Sequence, residues 1–134
     1  MLKKIDHIGV AVKSLDESLK FYAALGITPS HIEEVPSQKV KTAFLTIGDV
    51  HVELLEPTAE DSPVATHLEK RGEGMHHIAY EVENIETALE TLKKAEIKLV
   101  NESPVDGAHN MLVAFIHPKS TNGVLTELCQ HREH

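Results

Sequence analysis

The feature that most constrains the fold of this chain is an internal repeat with a spacing of about 70 residues. The segment "DHIGVAV", residues 6–12, returns as "HHIAYEV", residues 76–82. In both copies a histidine, His7 or His77, leads into a short run in which apolar residues recur at alternate positions. Alternation of this kind is typical of a β-strand with one buried face. The repeat therefore predicts two structural units of similar design.

Both halves continue with the same order of elements. Helices are predicted in "SLDESLKFYAALG" and "NIETALETLKKAEI", with Ser14 and Asn84 as N-caps and Gly26 ending the first helix. Paired strands follow: "VKTAFLTI" and "VHVELLEP" in the first half match "MLVAFIHP" and "GVLTELCQ" in the second. The pattern predicts a β-α-β-β unit, with room for another short strand near "ITPSHIEEV" and "IKLVNESPV". The run "HIEEVPSQK" is otherwise interpreted as a solvated loop.

Length and charge narrow the class of protein. We expect 134 residues to form one domain, with a first module over about residues 4–60, a linker helix over about 61–73 and a second module over about 74–131. A formal net charge of −8 argues against a nucleic-acid surface, because phosphate neutralisation needs clustered Lys and Arg.

The chain also lacks the sequence signals of membrane or secreted proteins. Its apolar runs are shorter than the roughly 20 residues that a membrane-spanning helix needs. The start "MLKKIDHIG" has no apolar stretch typical of a signal peptide, and the single Cys129 cannot form an intrachain disulfide. We therefore expect a cytoplasmic protein. The terminal "HREH", residues 131–134, is interpreted as a frayed end rather than as part of a site.

Four residues at repeat-equivalent places are candidates for a shared site: His7, Glu53, His77 and Glu127. Strand residues of equal parity share a face, so these side chains would project together if the two halves pair their sheets around one cavity. Imidazole and carboxylate groups are suited to divalent metal ions. Taken singly, a strand His is more often a satisfied core or edge residue, and a strand Glu more often faces solvent. Composition and spacing alone leave these two interpretations balanced.

The motifs "DHIGVAV", "VELLEP", "GMHHIAYEV" and "HPKSTNGVLTEL" resemble those of methylmalonyl-CoA epimerases in the vicinal oxygen chelate (glyoxalase-like) superfamily. The resemblance runs from Ile5 to about Gln130. It implies an α+β fold of two tandem βαβββ modules that form a cleft of mixed and antiparallel sheet, usually in a homodimer. It also implies a divalent metal ion. Co²⁺ is the expected ion, and Mn²⁺, Ni²⁺, Zn²⁺ or Mg²⁺ are alternatives. The implied metal ligands are the four candidates named above, and His76 is expected to face the other side of its strand.

The reaction implied by the resemblance interconverts (2R)- and (2S)-methylmalonyl-CoA, a step of propionate metabolism. The C2 proton is removed to give a metal-stabilised enolate, and Glu127 is the implied catalytic acid/base. An epimerase returns the proton to the opposite face, which most simply needs a second such group. Thr42 stands where related epimerases with a known glutamate partner carry it, and a hydroxyl group is a poor base. A metal-bound water, Glu53 or a relay through Thr42 remain open alternatives.

Other functions fit parts of the same pattern. Glyoxalase I (lactoylglutathione lyase) shares the metal ligands and the proton-transfer chemistry, but it typically carries an Asp-Pro-Asp-Gly turn where this chain has "HPKSTNG". A ring-cleaving dioxygenase typically binds Fe²⁺ through two His and one Glu and is usually longer. A non-catalytic protein of the same fold that binds a small molecule is the third alternative. We expect an acyl-CoA substrate, and neither a nucleic acid nor a membrane as partner.

Overall fold

The structure, a computed structural model, describes residues 1–132. This part of the chain contains eight strands and three α-helices, which follow in the order β1 (Leu2–Ala11), α1 (Leu15–Ala24), β2 (His31–Val35), β3 (Val40–Ile47), β4 (Val50–Pro57), α2 (Pro63–Arg71), β5 (Gly74–Val82), α3 (Ile85–Lys94), β6 (Val105–Asp106), β7 (Met111–Ile116) and β8 (Thr126–His131).

The chain folds into two compact units. The first unit is His7–His76, and the second combines Met1–Asp6 with the chain from His77 onward. Strand β1 therefore begins in the second unit and ends in the first. The first unit runs β1-α1-β2-β3-β4 and the second runs β5-α3-β6-β7-β8. The predicted α+β class with repeated βαβββ order is confirmed.

In the first unit the strands lie in the order β2-β3-β4-β1. β1 and β4 are parallel, while β3 is antiparallel to both β2 and β4. One face of this sheet is apolar and packs on α1 through a cluster that contains Val12, Leu15, Ala43, Leu45 and Leu54. Because side chains alternate along a strand, this packing assigns His7 and Glu53 to the opposite face.

The second unit has the same design, with strand order β5-β8-β7-β6 and a parallel pairing of β5 with β8. Its apolar face packs on α3 around Ile85, Leu89 and Leu128. The short strand predicted near "IKLVNESPV" is reduced to β6, which is only two residues long, and to an isolated bridge between Leu99 and Ile116. Proline has no N–H to donate to a ladder, and Pro104 stands in this segment.

Both helices of the repeat begin at the predicted caps. The Ser14 hydroxyl accepts a hydrogen bond from the Glu17 N–H at 3.2 Å, and the Asn84 side chain accepts one from the Thr87 N–H at 2.9 Å. These bonds satisfy N–H groups that have no partner inside the helix. The predicted caps are confirmed, and α2 lies within the segment predicted as a linker helix.

The C-terminal segment is more ordered than the sequence predicted. β8 extends to His131, whose Nε2 lies 3.1 Å from Oδ1 of the buried Asp6. The interpretation of residue 131 as a frayed end is therefore wrong, because the terminal strand gains a side-chain partner 125 residues earlier in the chain. His134 lies outside the described residues. Among residues 1–132, none of the helices combines the length and the apolar character needed to cross a membrane.

Candidate functional site

The first candidate pair is held by two parallel strands. Glu53 on β4 lies opposite Gly9 on β1, and His7 stands two residues before Gly9. This register places both side chains on the sheet face away from α1. His7 Nδ1 lies 3.0 Å from Glu53 Oε2, and the two side chains are 1% and 6% exposed. The pair is thus almost completely removed from solvent.

The second pair repeats this geometry. Glu127 on β8 lies opposite Ala79 on β5, and His77 stands two residues before Ala79. His77 Nε2 lies 3.3 Å from Glu127 Oε1, with the side chains 5% and 6% exposed. The predicted equivalence of the two His–Glu pairs therefore extends to strand direction, register and burial.

A phenylalanine lies opposite each glutamate on the next strand. Phe44 faces Glu53 and Phe115 faces Glu127 in the antiparallel pairings. The Phe115 ring packs edge to face against His77, with 5.7 Å between ring centroids. Phe44 stacks on His31 of the edge strand β2, at 5.6 Å and 26°.

The donor chemistry of these pairs fits a divalent metal ion. A buried carboxylate is costly unless it is paired, and here each is compensated by an imidazole nitrogen at hydrogen-bonding distance. Neutral imidazole and carboxylate groups are common ligands of Zn²⁺, Co²⁺ and Mn²⁺. Each unit thus buries one nitrogen donor and one oxygen donor side by side.

His76, which precedes the ligand candidate His77, packs against α2. Its ring centroid lies 5.1 Å from that of His67, and it is partly buried. Burial, together with the proximity of His67, lowers the pKa of His76 to about 4. His76 is therefore neutral at pH 7 and packs as an uncharged ring beside the strand.

Thr42 lies on the same sheet face as the first pair. It is buried, and its register partners are Leu55 on β4 and Glu33 on β2. Glu33 was not identified from the sequence, because "HIEEVPSQK" was interpreted as a solvated loop. That interpretation is wrong for residues 31–35, which form β2. The alternation of His31, Glu33 and Val35 was the available signal, since these positions share one face of a strand.

The sequence also gave no indication of a polar cluster formed by Asp6, Glu81 and His131. His131 Nε2 lies 3.1 Å from Asp6 Oδ1 and 3.8 Å from Glu81 Oε2. The cluster connects β8 to β1 and β5 close to the end of the strand that carries Glu127. Its members are far apart in the sequence, so only the fold brings them together.

Comparison with known proteins identifies the family. The model of the Glyoxalase/Bleomycin resistance protein/Dioxygenase superfamily matches residues 6–115. The chain belongs to this superfamily. Among its relatives, a protein named "Uncharacterized protein YqjC" from Bacillus subtilis is 43% identical over 99% of both chains. The mitochondrial methylmalonyl-CoA epimerase of Homo sapiens is 40% identical over 96% of this chain and 74% of its own length.

The fold of this superfamily member also matches solved structures. A methylmalonyl-CoA epimerase in complex with methylmalonyl-CoA and NH₄⁺ superposes with a TM-score of 0.93 at 37% identity, covering 98% of this chain and 96% of that one. The resemblance to epimerases of the glyoxalase-like superfamily, which the motifs indicated, is confirmed.

Proposed function

We propose that this protein is a methylmalonyl-CoA epimerase, an isomerase that interconverts the two C2 epimers of methylmalonyl-CoA. The observation that carries the proposal is the pair of buried His–Glu contacts at equivalent register positions of the two units. They occur in a chain that is similar to named epimerases over nearly its whole length.

The proposal includes one divalent metal ion held by His7, Glu53, His77 and Glu127, with Co²⁺ as the favoured ion. Support comes from the nitrogen and oxygen donors that each unit buries together. Such an ion supplies Lewis-acid stabilisation of the negative charge that develops on the substrate oxygens. Imidazole binds a metal ion in its neutral form, so the two carboxylates would supply the negative charge that offsets the charge of the ion.

Within this proposal Glu127 is the group that takes the C2 proton. The C2–H bond lies between a thioester and a carboxylate, so its electron pair moves into an enolate as the proton leaves. His77 fixes the Glu127 carboxylate at 3.3 Å, and Phe115 limits the space beside the His77 ring. The burial of both side chains keeps water away, which strengthens the electrostatic interactions on which the step depends.

Location and assembly complete the proposal. We infer a homodimer, as the resemblance to epimerases implies, and a cytoplasmic location, because the single cysteine cannot form an intrachain disulfide. Sedimentation of the purified protein tests the dimer directly, and a monomer at micromolar concentration contradicts it.

The decisive experiment measures solvent deuterium incorporation at C2 of methylmalonyl-CoA. The protein is stripped with a chelator, assayed, and assayed again after Co²⁺ is restored. We expect exchange only with the metal, and loss of exchange in Glu127→Ala. Glu90→Ala is the matched control, because Glu90 is an exposed carboxylate on α3. Metal binding without exchange contradicts the epimerase and redirects the search to glyoxalase-type substrates.

A further inference from the structure

The second unit contains a polar cluster that the proposed reaction does not use. It consists of Asp6 from β1, Glu81 from β5 and His131 from β8, and we call it the chain-end cluster. Each residue offers one potential ligand atom, and the three atoms lie within 4.8 Å of one another. All three residues belong to the same compact unit. Three donors this close together form a candidate ligand-binding site.

The chain-end cluster repeats the register of the His77–Glu127 pair four residues further along the same two strands. His77 stands two residues before the residue of β5 that lies opposite Glu127. Glu81 lies opposite Cys129, and His131 follows Cys129 by two residues, so Glu81 and His131 are related in the same way. The imidazole and the carboxylate have exchanged strands. Because side chains alternate along a strand, both pairs lie on one face of the sheet.

Buried apolar residues separate the two pairs on this face. Ala79 on β5 and Cys129 on β8 stand between them, and both are 0% exposed. Four residues of a strand span about 13 Å, so His131 is about that far from Glu127 along β8. The chain-end cluster is therefore not part of the His77–Glu127 pair, and a ligand bound by the cluster occupies a different place.

The charges of the cluster favour a cation. His131 Nε2 lies 3.1 Å from Asp6 Oδ1 and 3.8 Å from Glu81 Oε2, so two carboxylates converge on one imidazole nitrogen. One imidazole, even when protonated, offsets only one of two negative charges. The side chains of Asp6 and Glu81 are 3% and 14% exposed, so water screens their repulsion weakly. A divalent cation offsets both carboxylates at once.

The separations of the donor atoms fit an ion of the size of Zn²⁺. In a tetrahedral Zn²⁺ site with nitrogen and oxygen ligands at about 2.0–2.2 Å, the ligand atoms lie roughly 3.3–3.6 Å apart. The two separations from the His131 nitrogen, 3.1 and 3.8 Å, bracket this range. The His131 side chain is 48% exposed, which leaves room for water to complete the coordination. One imidazole and two carboxylates are ligands that Zn²⁺ accepts, whereas Mg²⁺ prefers oxygen ligands alone.

We propose that Asp6, Glu81 and His131 form a divalent metal site in addition to the one included in the proposed function, with Zn²⁺ as the expected ion. The site joins the first strand and the end of the last strand to β5, although Asp6 and His131 are 125 residues apart in the chain. An ion that binds only the folded state stabilises that state by mass action. The role of the site is therefore to stabilise the second unit.

The number of Zn²⁺ ions bound per chain tests the proposal. Wild-type protein and His131→Ala are stripped with a chelator and dialysed against Zn²⁺, and their metal content is measured by mass spectrometry. We expect His131→Ala to hold one Zn²⁺ fewer per chain than the wild type. Equal metal content overturns the proposal and leaves His131 and Asp6 as a hydrogen-bonded pair only. The difference decides, so the result does not depend on whether the other proposed site also binds Zn²⁺.

His31→Ala is the matched control for exposed histidines. His31 is a strand residue that is 46% exposed and lies 3.0 Å from one carboxylate, that of Glu33. Of the groups of three or more possible ligands found among residues 1–132, none includes His31. We expect this variant to keep the full Zn²⁺ content, and an equal loss in His31→Ala and His131→Ala overturns the proposal. Glu81→Ala removes a different ligand of the cluster and should lose the same ion, which decides the test if His131→Ala does not fold.

Thermal unfolding supplies a second measurement that a simple hydrogen bond does not affect. With Zn²⁺ at about 100 times its Kd, the Tm of the wild type should rise by about 5 °C more than that of His131→Ala. Equal increases contradict the proposal. Deuterium exchange at C2 should be unchanged in His131→Ala, because the substitution lies far from Glu127 along β8. Failure of the wild type to exchange overturns the proposed function alone, since the Zn²⁺ content is measured separately.

Discussion

The two units carry the same His–Glu pair on differently composed surfaces. Beside Glu53, the sheet face of the first unit presents Thr42 and Glu33. At the equivalent register positions of the second unit, beside Glu127, stand Val113 and Val105. Val113 belongs to a buried apolar cluster completed by Ala79, Met111 and Cys129. The backbone frame is thus repeated, whereas the chemistry of its face is not.

Under the proposed function, this difference predicts a division of labour between the two His–Glu pairs. An apolar surrounding strengthens electrostatic interactions and excludes water, which suits the group that takes a proton from carbon. A polar surrounding supplies additional donors and acceptors, which suits ligand orientation and return of the proton. We therefore expect the largest effects when the same substitution is made in each of the two pairs, and we expect the rate of C2 exchange to fall by different amounts.

The first prediction replaces each glutamate of the two pairs by glutamine. Glu127→Gln should lower the rate of C2 exchange by about 10³-fold, because an amide is not a base. Glu53→Gln should lower it by at most about tenfold, because the amide oxygen can still serve as a metal ligand. Measurement of deuterium exchange at saturating Co²⁺ checks both, with isothermal titration calorimetry to confirm that each variant binds the metal. Equal losses in the two variants contradict the division of labour.

Much of this comparison could be predicted from the sequence, because the internal repeat places the two His–Glu pairs at equivalent positions. His7, Glu53, His77 and Glu127 were identifiable by their equivalent places, and the caps Ser14 and Asn84 by local hydrogen-bonding chemistry. Glu33 was missed because its segment was interpreted mainly as a solvated loop, although it also left room for the short strand that the structure shows as β2. The contact between His131 and Asp6 depends on pairing of distant segments, which no local pattern encodes.

The second prediction compares the helices that cover the two sheets. Leu19 and Leu89 occupy equivalent positions, but Leu89 is 2% exposed while Leu19 is only partly buried. Leu89→Ala should lower the free energy of unfolding by about 3 kcal/mol, and Leu19→Ala by about half as much, because the cost follows the buried volume removed. Urea unfolding monitored by circular dichroism measures both. A larger loss for Leu19→Ala shows that α1, not α3, is the better packed helix.

The third prediction concerns the equivalent N-caps. Ser14→Ala and Asn84→Ala each remove one hydrogen bond to the first turn and should each cost about 1 kcal/mol of unfolding free energy. Because the two caps are equally formed, we expect their costs to agree within about 0.5 kcal/mol, the usual scatter for such substitutions. The same unfolding assay applies, with Thr87→Ala as a control that keeps the backbone N–H. A cost confined to one cap shows that the two helix starts are not equivalent in solution.

The smallest expected effect comes from making the first unit resemble the second at one position. Thr42→Val places the residue of position 113 at its counterpart and removes only a hydroxyl group from the buried face. If the Thr42 hydroxyl takes no part in proton transfer, epimerisation should change by at most about threefold. A relay through Thr42 instead predicts a loss of about 100-fold, comparable to that of a general acid/base. Coupled measurement of epimerisation and C2 exchange separates these outcomes, since only the relay mechanism predicts that Thr42→Val loses epimerisation while exchange through Glu127 continues.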